Sequence, residues 1–135
     1  MVSANETGGQ KDEVDIQPLE YGGMGNDEEI LSIRDGLYIL TNKMSRTTLD
    51  LYSRDSGTQC HGWPRHSLGN QIWIVRKCPT KDTFTLRNTE QAGFLDVLAG
   101  NSENGAPAVG HHRVEGSLNQ EWQIVEQTPG YYTCE

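Results

Sequence analysis

"LGNQIWIV" (residues 68–75) and "SLNQEWQIV" (residues 117–125) carry one phrase twice, 49 residues apart. In each copy an Asn-Gln pair is followed by a Trp two residues after the Gln: Asn70, Gln71 and Trp73, then Asn119, Gln120 and Trp122. The segments upstream repeat as well. "DTFTLRN" at 82–88 matches "GLYILTN" at 36–42, setting Phe84 on Tyr38, Leu86 on Leu40 and Asn88 on Asn42. "FLDV" at 94–97 matches "TLDL" at 48–51 at an offset of 46, so the second copy has a loop three residues longer before its Asn-Gln phrase. A third copy starts and stops: "PGYYTCE" at 129–135 aligns with "DGLYILT" at 35–41, Gly130 on Gly36 and Tyr132 on Tyr38. The same features in the same order define an internal repeat of 46–49 residues.

Within each repeat, short runs rich in β-branched and aromatic residues alternate with turn chemistry such as "KMSR" and "RDSGTQCHG". One such unit cannot bury its apolar face alone, so the copies must share a core. The totals agree. The 135 residues allow one domain, and 34% apolar content with 15 Gly suits short strands and tight turns rather than a helical bundle. The expected fold class is all-β, a closed β-trefoil with threefold pseudo-symmetry, holding two complete lobes and the start of a third.

The net charge of −8 is unevenly placed. Residues 1–35 contribute −7 of it, leaving the remaining hundred near neutral. With its Gly pairs and acids, 1–35 reads as a disordered acidic arm, and 36–135 as the folded domain. A near-neutral domain offers no basic surface to displace counterions from phosphates, which argues against nucleic acid as a partner. No run approaches the roughly 18–20 apolar residues of a membrane span. The N-terminus lacks the apolar core of a secretory signal, so the expected location is cytoplasmic. Cys60, Cys78 and Cys134 are odd in number and widely spaced, which fits reduced thiols and no Cys-based metal or redox site. Asn5-Glu6-Thr7 is read as a chance sequon, and "GGMGND" at 22–27 lacks the Lys-Ser/Thr of a phosphate loop.

The Gln-x-Trp phrase closing each repeat, with an "LD" strand upstream, resembles the ricin-B-type (R-type) lectins. The wording "YxLTN…TLDL…GW…NQxW" is most similar to small cytoplasmic mushroom lectins of that fold, and the resemblance covers about 36–133. It implies a β-trefoil that binds glycans of glycoproteins or glycolipids, usually through terminal galactose or N-acetylgalactosamine, with no cofactor and no catalysis. In the family the Gln-x-Trp is chiefly structural, so Gln71, Trp73, Gln120 and Trp122 would hold the core and the sugar-binding loops.

Sugar recognition needs a carboxylate and an amide for the hydroxyls, and a flat ring against the apolar C–H face of the pyranose. The first repeat has that set in the family's order. Asp50 would accept bonds from two ring hydroxyls, Asn70 would be the second polar partner, Trp63 in "HGWPRH" the stacking platform and His66 a rim contact. The bland alternative has Asp50 capping a turn and Trp63 covering the barrel. The second repeat keeps Asp96 and Asn119 but places His111 where the first has Trp63. His61, His66, His111 and His112 lack the spacing of a tetrahedral metal set. The competing function is a trefoil used as a protein-binding scaffold, such as a protease inhibitor, which has no need for Asp50, Trp63 and Asn70 together. The missing third lobe is the departure from the family. It predicts open strand edges and a homo-oligomeric or aggregation-prone chain. A truncated chain is the favoured explanation, ahead of an isolated fragment that folds poorly or an assembly in which partner chains complete the barrel, and the acidic arm, without Gln-x-Trp or strand alternation, is not expected to substitute.

Overall fold

The computed structural model describes residues 13–19, 33–52, 58–97 and 107–135. Ten strands follow in chain order: β1 (Val14–Pro18), β2 (Gly36–Asn42), β3 (Thr48–Leu51), β4 (Thr58–Trp63), β5 (Trp73–Lys77), β6 (Phe84–Asn88), β7 (Phe94–Val97), β8 (Ala108–His111), β9 (Ile124–Thr128) and β10 (Tyr131–Cys134). Among the described residues the only helical turns are two 3₁₀ turns, Gly69–Gln71 and Leu118–Gln120. None of this is a helix long and apolar enough to cross a membrane.

Six strands close a barrel. β2 pairs β5 at Tyr38↔Trp73, and β5 pairs β6 at Val75↔Leu86. A single antiparallel bridge, Phe84↔Trp122, joins β6 to the segment leading into β9. β9 pairs β10 at Ile124↔Cys134, β10 pairs β1 at Tyr132↔Val14, and β1 returns to β2 at Ile16↔Leu40. The registers repeat three times round the ring. Tyr38, Phe84 and Tyr132 form one buried layer, and Leu40, Leu86 and Cys134 another. Val14 occupies the station held by Trp73 and Trp122, and Ile16 that of Val75 and Ile124. Two hairpins, β3–β4 and β7–β8, cap the barrel and pair with each other at Thr58↔Gly110. A Cβ on Gly110 would lie 2.7 Å from Leu51 Cδ2, so a larger residue there would force the buried Leu51 side chain to move.

The repeats reuse their turns. Asn42 Oδ1 accepts from the backbone N–H groups of Met44 and Ser45, and Asn88 Oδ1 from those of Glu90 and Gln91. Each turn ends on a left-handed residue, Arg46 at φ 61° and Ala92 at φ 62°. A side-chain carbonyl facing two backbone donors is the reason Asn recurs at this point.

Two expectations are corrected. The arm 1–35 was expected to be disordered, yet Val14–Pro18 form β1, with Val14 and Ile16 inside the core. Residues 1–12 and 20–32 lie outside the described residues. The expected open edge at β2 and β10 is also filled, because β1 lies between them. Val14-Asp15-Ile16 repeats the apolar-x-apolar pattern of Trp73-Ile74-Val75 and Trp122-Gln123-Ile124. A barrel strand needs little more than two inward side chains, and β1 supplies them without the Gln-x-Trp phrase.

Candidate functional site

In the first lobe the Asn-Gln phrase forms the 3₁₀ turn Gly69–Gln71, which directs Gln71 into the interior, where it is fully buried. Its amide is used on both sides. Nε2 donates to Asp50 Oδ2 at 2.9 Å and to the Pro64 carbonyl at 3.1 Å. Oε1 accepts from the backbone N–H groups of His66 at 2.9 Å and Ser67 at 3.1 Å. One buried amide, fully satisfied, thus fastens the acid of β3 to the loop 64–67. Two residues on, Trp73 enters the core and its indole N–H donates to the Leu49 carbonyl at 3.2 Å.

Asp50 is 3% exposed. Its Oδ1 accepts from His61 Nε2 at 2.8 Å and from Asn70 Nδ2 at 3.1 Å. A carboxylate offers about four lone-pair positions, so with Gln71 on Oδ2 one remains. The sequence-based expectation of two sugar hydroxyls on Asp50 therefore meets an acid with room for one. His66 Nε2 stands 3.6 Å from Oδ2, too far for a hydrogen bond. Its Nδ1 accepts the Leu68 N–H at 3.0 Å, which places the ring proton on Nε2, toward the acid. Trp63 is half-exposed and stacks on His61, with ring centroids 5.2 Å apart and planes 17° from parallel. His61, His66 and Asn70 thus gather at Asp50, and His61 links that cluster to Trp63. Sequence reasoning missed His61 as a site residue. It lies opposite Asp50 across β3–β4, and its position two residues before Trp63 puts both rings on one face.

The second lobe keeps the scaffold and changes the rim. Gln120 Nε2 donates to Asp96 Oδ2 and to the His112 carbonyl, both at 2.8 Å. Its Oε1 accepts from Arg113 at 2.9 Å and from the Val114 N–H at 3.0 Å. Trp122 repeats the indole bond, to the Leu95 carbonyl at 3.0 Å. Opposite Asp96, however, stands Val109, so the equivalent of His61 is apolar. Among the described residues Asp96 accepts one hydrogen bond, that from Gln120, and the Asn119 side chain makes none to it. His111 holds the station of Trp63, donating Nδ1–H to the His112 carbonyl at 3.0 Å with its ring against that of His112. Two residues before Val14 the sequence has Asp12, where Gln71 and Gln120 precede Trp73 and Trp122 by the same step.

Burial raises the Cys60 and Cys134 thiols to about 12. Both are therefore protonated packing groups rather than nucleophiles. Among the described residues no three His, Cys, Asp or Glu side chains are grouped to hold a metal ion.

The family model of the ricin-type β-trefoil lectin domain-like proteins matches residues 29–111 and 70–135. The chain belongs to that family. Solved structures agree on the fold. The designed threefold-symmetric protein ThreeFoil is similar at 25% identity and TM-score 0.68, over 74% of this chain and 71% of that one. The Rhizoctonia solani agglutinin is 26% identical with TM-score 0.66, over 77% and 70% of the two chains. The Polyporus squamosus lectin, solved bound to Neu5Aca2-6Galb1-4GlcNAc, is 20% identical with TM-score 0.61, over 77% and 37%. No curated protein sequence matches the chain.

Proposed function

We propose that this protein is a non-catalytic lectin that binds galactose- or N-acetylgalactosamine-type glycans. The observation that carries the reading is the first lobe's arrangement: a buried carboxylate, fixed by Gln71, with Asn70 beside it and the half-exposed Trp63 indole at the rim. Asp50 accepts one sugar hydroxyl, Asn70 supplies the second polar partner, and Trp63 packs the apolar face of the ring, with His66 at the edge. In the second lobe Asp96 and Asn119 hold the hydroxyls and His111 offers a smaller surface. A shallow millimolar site corresponds to about −4 kcal/mol, so two sites on one chain gain strength on multivalent glycans.

Retention on a column of immobilised galactose, with elution by free galactose, is the expected behaviour. Asp50→Asn and Trp63→Ala weaken that retention. Passage of the wild-type chain through galactose and N-acetylgalactosamine columns alike refutes the specificity, and unchanged retention of both variants refutes the site.

A further inference from the structure

We infer that the second lobe takes an acidic sugar, a hexose carrying a sulfate ester or a carboxylate, and that Arg87 and Arg113 receive its charge. The inference rests on the lectin reading above and names the ligand class of its second site. Arg87 is paired opposite Phe94, and Phe94 opposite His111, so the three side chains share one face of β6, β7 and β8. The Arg87 guanidinium lies 6.0 Å from the centre of the Phe94 ring, and that of Arg113 lies 5.8 Å from it. Two cations are thus held on one ring beside His111, the residue in the station of Trp63.

Like charges drawn together cost stability unless an anion offsets them. Arg87 is exposed and, among the described residues, makes no ion pair. Arg113 spends one N–H on Gln120 Oε1 and faces Glu115 at 3.7 Å, a carboxylate 89% exposed to water. The first lobe treats the same stations differently. Thr41 and Thr48, buried and neutral, stand where the second lobe has Arg87 and Phe94. Arg65, two residues past Trp63 as Arg113 is past His111, donates to Gln17 Oε1 and Ser67 Oγ. Asp96 lies two residues beyond Phe94 on β7, about 7 Å along the strand. A hexose whose hydroxyls reach Asp96 and Asn119, with its ring over His111, therefore brings a substituent toward the guanidiniums. Sulfate and carboxylate oxygens match the guanidinium fork, and charge-assisted hydrogen bonds of this kind are the strong ones.

Calorimetric titration at low salt, in a Trp63→Ala background that weakens the first site, tests this. The probes are methyl β-galactoside, its 3-sulfate and 6-sulfate esters, and methyl β-galacturonide. At least one acidic sugar should bind about fivefold tighter than the neutral parent, and high salt should shrink that advantage. The sulfates and the uronide distinguish the two sources of the charge. Arg87→Gln should abolish the advantage without changing the melting temperature or the affinity for methyl β-galactoside, and Arg87→Lys, which keeps the charge but not the fork, should retain part of it. Equal affinities for all four sugars, or an acidic preference that survives in Arg87→Gln, overturn the inference and leave the neutral site standing. Failure of the wild type to bind any of the four overturns the lectin reading, and this inference with it.

Discussion

The first and second lobes share a scaffold, its matching hydrogen bonds differing in length by 0.3 Å at most (3.1 against 2.8 Å), and differ in what they expose. Each has a Gln that ties an acid to a loop carbonyl, and each has a Trp whose indole N–H reaches a carbonyl on its cap. Around those constants the rims diverge. The first lobe has the exposed aromatic surface and an acid with one free acceptor position. The second has a buried acid that, among the described residues, accepts one hydrogen bond, and His111 in place of the rim indole. The scaffold tolerates this because Gln-x-Trp acts inward, on core and loop, while Trp63 and His111, the rim rings of the proposed sites, lie on β4 and β8. A binding site can thus drift without disturbing the barrel.

The largest effect should fall on the shared part. Trp73→Ala and Trp122→Ala each remove a buried indole and its hydrogen bond, and truncations of this kind cost about 3–5 kcal/mol. The two losses should be alike, because the stations are alike. Val14→Ala, at the third station, should cost less, since fewer buried atoms are removed. Urea unfolding of the three variants checks this. A Trp73 variant much more stable than the Trp122 variant would break the equivalence of the lobes, and an undiminished Val14→Ala would remove β1 from the core.

That third station marks the limit of what the sequence disclosed. The repeat was legible because large residues recur at fixed spacing, and Asp50, Trp63 and Asn70 could be picked out from it. β1 was not. Val14 and Ile16 are two apolar residues in an acidic stretch, and only pairing with β2 and β10 makes them equivalent to Trp73 and Val75. His61, which the fold sets against Asp50, escaped for a related reason. Its place beside Asp50 comes from the cross-strand register of β3 and β4, which is set by contacts between strands rather than by spacing along one.

A smaller effect separates the caps at high pH. Cys60 on β4 pairs with Leu51, and the matching residue on β8 is Ala108, paired with Val97. Burial raises the Cys60 thiol from its ordinary 9.0 to about 12, with the charge of Asp50 adding to the rise. Between those values the folded chain keeps a proton that the unfolded chain has released, so stability is intact below pH 9 and falls as pH climbs toward 12. The slope is about 1.4 kcal/mol per pH unit for one thiol, and Cys134 adds its own. Cys60→Ala, which makes the first cap resemble the second, should lose less stability than the wild type between pH 8 and pH 10. Equal losses would mean that the Cys60 thiol does not resist ionisation in the fold.

The smallest effect sharpens the contrast most. If the second lobe lacks only a flat surface, then His111→Trp should supply it, because His111 already occupies the station of Trp63 and Asp96 accepts one hydrogen bond among the described residues. Calorimetry with methyl β-galactoside in a Trp63→Ala background, which weakens the first site, isolates the gain. An indole in contact with a pyranose face should contribute about 0.5–1.5 kcal/mol, or twofold to tenfold in affinity. The reverse change, Trp63→His, should bring the first lobe down toward the second, and further, because among the described residues Asp50 already accepts from His61, Asn70 and Gln71 where Asp96 accepts from Gln120 alone. If His111→Trp leaves affinity unchanged, the ring is not what the second lobe lacks, and the buried Val109 in place of His61 becomes the difference that matters.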